Sequence, residues 1–282
     1  MARVGVGSDY VQLAVHTLAL VPLPGAEDLS ELGYRAWVER ALPRSAFEPI
    51  VRDAALVRSV HAGRPEARCI QWLPELFDSI EQLSAEASFD AAALTDAARP
   101  DLLSRLQRSE PALLELVRGA MLLAAPAYRS AWPSAECERG IEAAAVALTE
   151  AEAVLPALAA SRVELVWALG RRGRAYPDRL LVGVPGDWRG TTADEVAVIA
   201  MHELLVRGGR GGWAQTEWRA LRELTRCMAV APSSLRQAHE QWLAALSLTS
   251  LCAEAVAGGL VSEELAARIL NEPASRVALF GG

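Results

Sequence analysis

Arg162–Leu169 (RVELVWAL), Arg179–Val184 (RLLVGV) and Thr192–Arg207 (TADEVAVIAMHELLVR) decide the fold. The first two runs are short, rich in β-branched and other apolar residues, and bounded by Gly170 and by Pro185-Gly186, which is the pattern of strands. Between them Gly170 to Asp178 reads as a wide turn that carries Arg171, Arg172 and Arg174. The expected unit is an antiparallel β-hairpin. The third run starts on Thr192 with Glu195 three residues on, a capping-box pair, and stops at the glycine-rich Gly208–Gly212. Its residues Val196 to Met201 are apolar on every face, so the helix is expected to be buried.

Outward from this core the pattern is helical. Trp213–Val230, Ser234–Ala257 and Ser262–Asn271 follow downstream. Upstream, Leu29–Leu42, Phe47–Val60, Gln71–Leu83, Asp101–Leu123 and Ser134–Leu155 carry helical spacing and no chemical signature. The expected fold class is α+β, mainly helical, with a small antiparallel sheet and a buried helix. The texture changes near residue 160, which suggests a helical region 1–160 and a hairpin-plus-helix region 161–282, or one continuous domain.

The composition excludes several classes. With 282 residues, 52% of them hydrophobic, the chain is no disordered protein. A net charge of −7 argues against a general electrostatic hold on nucleic acid or an anionic membrane. All 28 basic residues are arginine, which removes a Walker-A lysine and Schiff-base chemistry together. Cys69, Cys137, Cys227 and Cys252 form no C-x-x-C pair. Residues 1–22 make a poor signal peptide, and no apolar run reaches membrane-spanning length, so a cytoplasmic protein is expected.

Three weaker motifs reduce to structure. Gly5-Val6-Gly7-Ser8 is half a dinucleotide fingerprint with no strand expected before it, and reads as a flexible N-terminus. Leu260–Leu270 resembles the first helix of a helix-turn-helix but leaves little chain for a recognition helix. Arg207–Gly212 (RGGRGG) reads as a helix stop rather than an RNA-binding repeat.

The buried helix ends in Met201-His202-Glu203-Leu204-Leu205-Val206. In a helical H-E-x-x-H the two histidines lie on one face and ligate a metal, with the glutamate as base. Here the second histidine is replaced by Val206, which cannot ligate. The strand pair, the DEVAVIAMHE helix and the aromatic helical tail, Arg162 to Leu246, resemble a degenerate form of the HExxH-motif proteins of ribosomal peptide natural-product pathways. Some members of that family are iron- and 2-oxoglutarate-dependent peptide β-hydroxylases.

That resemblance implies a vestigial site at His202 and Glu203, no catalytic residue and no metal. It implies a non-catalytic accessory protein that binds a substrate or leader peptide, alone, as a homodimer, or paired with a related protein. The hairpin strand offers main-chain bonds to such a peptide. Arg171, Arg172, Arg174, Arg207 and Arg210 are the candidates for acidic side chains, and Trp188 and Trp213 for apolar anchors. The alternative is a metal-dependent peptide oxygenase or hydrolase that holds Fe or Zn through His202, His239 and a carboxylate such as Glu217 or Glu223.

Overall fold

The computed structural model of the chain describes residues 3–6, 134–166, 171–175, 179–183 and 192–281. The four helices expected between residues 29 and 123, and Trp188, lie outside the described residues. By contact the chain divides into Met1–Val6 with Ala135–Gly282, and Gly7–Ser134. The described elements that follow belong to the first of these units, apart from Ser134 at the start of the first helix.

Four strands form one sheet: β1 Arg3–Val6, β2 Arg162–Val166, β3 Gly173–Ala175 and β4 Leu180–Gly183, in the spatial order β1-β2-β4-β3. The helices are α1 Ser134–Val154, α2 Ala193–Arg207, α3 Trp213–Met228, α4 Ser233–Ala245, α5 Thr249–Ala257, α6 Glu263–Asn271 and α7 Arg276–Gly281. The mainly helical α+β class is thus observed. No helix among the described residues is long and apolar enough to cross a membrane.

The antiparallel sheet is not. β2 and β4 run parallel, Val163 opposite Leu180 through Val166 opposite Gly183. Gly173–Ala175, expected within the turn, is the strand that pairs antiparallel with β4. The chain leaves β2, crosses to the sheet edge, forms β3, and returns as β4 between β2 and β3. The burial explains the difference. Val163 to Val166 and all of β4 are buried, without the in-and-out alternation of a half-solvated hairpin. Uninterrupted burial belongs to interior parallel strands covered on both faces.

Two further expectations change. Arg3–Val6 is no flexible terminus but a strand parallel to β2, with Val4 opposite Val163. The single helix expected over Ser234–Ala257 is two, α4 and α5, separated by an extended Leu246.

α2 positions the site. Its ten residues from Glu195 to Leu204 are all buried. It packs on β3 and β4 on one side and on α3 and α4 on the other. The capping box forms as expected: Thr192 N–H donates to Glu195 Oε2 at 2.8 Å, and Glu195 N–H donates to Thr192 Oγ1 at 3.1 Å. The turn from α2 into α3 needs glycine at Gly211, whose φ is +123°.

Candidate functional site

His202 stands near the end of the buried stretch of α2 and is 5% exposed. Its Nδ1 hydrogen-bonds Oε1 of the adjacent Glu203 at 3.1 Å. Its Nε2 lies 3.1 Å from Oε2 of Glu217 on α3, an ion pair when the ring is protonated. The ring rests against Trp242 of α4, with centroids 5.2 Å apart. Three helices therefore meet on one imidazole.

Burial alone would push this histidine toward its neutral form, and it is the largest single influence. The charge of Glu217 and the hydrogen bonds and charge of the two carboxylates together outweigh it, and the pKa rises to about 10. His202 is an imidazolium at neutral pH.

His239, one turn before Trp242 on α4, lies beside the same indole, with ring centroids 6.3 Å apart. It is 1% exposed, and its Nε2 has no hydrogen-bond partner among the described residues. Burial, and then the positive charge of His202, lower its pKa to about 4. One histidine is thus held charged and its neighbour neutral.

Glu203 is pinned from the sheet side. β3 passes so close that a Cβ on Gly173 would overlap Glu203 Cγ and lie 2.9 Å from Glu203 Cδ and Ile199 Cγ2. Only glycine lets the edge strand lie on the His-Glu step of α2.

The arginine loop is braced to the same cluster. Arg171 Nε is 3.6 Å from Oε1 of the buried capping-box residue Glu195. Its carbonyl accepts a 2.9 Å hydrogen bond from Trp242 Nε1. Arg171 therefore ties the start of α2 to α4, and its charge is committed to Glu195. The Arg172 carbonyl accepts from Gly183 N–H at 3.0 Å and its side chain is half-buried. Arg174 sits in β3 opposite Leu181. Arg207 donates through Nη2 to Ser161 Oγ at 3.1 Å. Arg210 is exposed in the turn after α2, and Trp213 is half-buried at the first position of α3. The structure thus gathers Arg171, Arg172, His202 and Glu203 around β3 and α2. It places Arg210 and Trp213 at the far end of α2.

Of the residues considered for a metal, His202 and Glu217 come together with His239 close by, while Glu223 is exposed and pairs with Arg226 at 3.3 Å. Among the described residues no group of three or more His, Cys, Asp or Glu is arranged to hold a metal ion.

Trp242 was missed in the sequence, and Glu217 was considered only as a metal ligand. The signal for Glu217 was present. Ala214, Trp218, Leu221, Leu224, Thr225 and Met228 form the buried face of α3, and Glu217 falls on that stripe, three residues from Ala214 and four from Leu221. A carboxylate there requires a cation.

No protein-family model, no curated protein and no solved structure matches this chain.

Proposed function

We propose that the chain is a non-catalytic accessory protein that binds a precursor peptide in ribosomal peptide natural-product biosynthesis. The observation that carries this reading is the closed state of the His-Glu step. His202 faces a carboxylate at each nitrogen, and the edge strand β3 lies directly on Glu203. A peptide that adds along β3 would run past a motif that binds without reacting. Main-chain hydrogen bonds at the sheet edge supply affinity in such a mode, and side chains fitting alternate pockets supply selectivity. Arg172, Arg174 and Arg210 are the cations for acidic side chains. Arg171 shapes the loop rather than meeting the peptide.

A second reading is favoured by one specific observation. His202 and Glu217 reach one point from adjacent helices, and His239 packs on the same tryptophan. A metal-dependent peptide oxygenase would draw its ligands from this set, after His202 had lost its proton. Elemental analysis of the purified protein separates the two readings. Iron or zinc at one equivalent, with loss of metal in Glu217→Gln, favours the enzyme. Metal-free protein that binds a ribosomal precursor peptide favours the accessory role.

A further inference from the structure

A cavity of about 360 Å³ lies where the C-terminal end of α3 meets α4 and α7. Its size falls within the range of small-molecule sites, roughly 300–1,000 Å³. Met228 and Val277 give it apolar wall, and the exposed Arg226, Arg236 and Glu240 give it charge. The two guanidiniums come from different helices and exceed the one carboxylate by a single positive charge, in a chain whose net charge is −7.

These cations are available. Arg236 has no ion-pair partner among the described residues, although Glu240 follows it four positions later on the same helix. Among the described residues Arg226 is paired only with Glu223, at 3.3 Å on the exposed surface. Such pairs contribute little and exchange readily. His239, itself buried, also contributes to the lining.

From this lining we infer that the cavity binds a small monocarboxylate with an apolar body. Arg236 and Arg226 take the carboxylate through charge-assisted hydrogen bonds, and Met228 and Val277 cover the chain. One net positive charge matches a monoanion. The apolar wall excludes a fully hydrated dianion such as phosphate. The site is independent of the peptide surface at β3.

Calorimetry on the full chain tests this, with acetate, butyrate, hexanoate, hexanol and inorganic phosphate as probes. The expected result is one hexanoate per chain, with affinity rising about fourfold per methylene from acetate upward. Hexanol and phosphate should bind at least tenfold more weakly. Arg236→Gln should weaken hexanoate at least tenfold. Ala229→Leu, which fills the cavity from an exposed position in ordinary helical geometry, should abolish binding. Both substitutions are at exposed residues, and unchanged thermal melts will show that the fold is intact. Absence of carboxylate binding, equal binding of hexanol, tighter binding of phosphate, or undiminished affinity in Arg236→Gln would each overturn the assignment.

Discussion

Glu217 of α3 approaches the imidazole of His202 on α2 to 3.1 Å, and both side chains are largely withdrawn from water. A charged pair in such a place stabilises the fold only while both members remain. Removing one leaves the other buried and unmatched, at a cost of about 3–5 kcal/mol. Glu217→Gln keeps the shape and deletes the charge. We expect it to lower the His202 pKa from about 10 toward neutrality and to lower unfolding free energy by about 3 kcal/mol. Denaturant titration and the pH dependence of the His202 ring resonances measure the two effects together. An unchanged pKa would mean that Glu203 alone holds the proton.

Stability should fall on both sides of neutrality, for opposite reasons. The folded-state pKa of His202 is raised, to about 10 against an ordinary 6.5. Its contribution is complete below about pH 6.5 and is lost as pH rises through 10. The folded-state pKa of His239 is lowered, to about 4. Its neutral form is the one the fold accepts, so its contribution is complete above about 6.5 and is lost as pH falls through 4. Each loss is on the order of a few kcal/mol. Urea midpoints between pH 4 and 10 should therefore peak near pH 6–7. His239→Gln should flatten the acid limb and leave the alkaline limb.

Gly173→Ala should destabilise the protein by about 1–3 kcal/mol, the usual cost of forcing volume into a packed contact. The added methyl group meets Glu203 and Ile199, and Glu203 cannot swing aside while it holds His202. The cost should shrink in a Glu203→Ala background, where only Ile199 still opposes the methyl group. A double-mutant cycle read by thermal unfolding checks this. Additivity would mean that β3 is not seated on Glu203 in solution.

The sequence made α2 legible because everything that builds it is local. Thr192 and Glu195 are three residues apart, and the glycine stop is adjacent. The strands were legible as elements but not as partners. RVELV and LLVG read alike in either direction, and only the third strand hidden in the arginine loop makes them parallel. The break between α4 and α5 had no local mark, neither Gly nor Pro. The carbonyls at the break are met by Arg276, about 30 residues away, whose Nη1 donates to Leu243, Ala244 and Leu246. At the site, His202 and Glu203 were conspicuous. Their partners Glu217 and Trp242 depend on how α3 and α4 pack, which periodicity constrains only by face.

Arg276 is accordingly expected to matter more than its place near the C-terminal end suggests. It is 5% exposed, and Nε donates to the Ile269 carbonyl at 2.9 Å while Nη1 serves the end of α4. Lysine keeps the charge but lacks the planar fork that reaches α4 and α6 together. Arg276→Lys should cost about 2–3 kcal/mol through carbonyls left without donors. Amide exchange should rise first in α4 and α5, ahead of α2. Uniform exchange across all helices would argue against a local capping role.

The peptide-binding proposal makes a demand on the arginines that differs from residue to residue. Arg171 already answers Glu195 and carries the carbonyl bound by Trp242. Arg171→Gln should therefore lower stability and leave the salt dependence of peptide binding nearly unchanged. Arg172 and Arg174 flank Gly173 in and beside the edge strand. If acidic side chains of a bound peptide meet them, binding must weaken with salt, because exposed charges are screened over about 10 Å at 0.1 M. The double variant Arg172→Gln/Arg174→Gln should bind an acidic precursor peptide several-fold more weakly at low salt, with a flatter salt dependence. Pro replacement within the peptide should weaken binding further, since each proline removes one main-chain donor from strand addition. Calorimetry of wild type, the single variant and the double variant, at two salt concentrations, separates these contributions. Equal affinity of all three proteins at low salt would take the arginine loop out of the interface. Proline-insensitive binding would take β3 out of it.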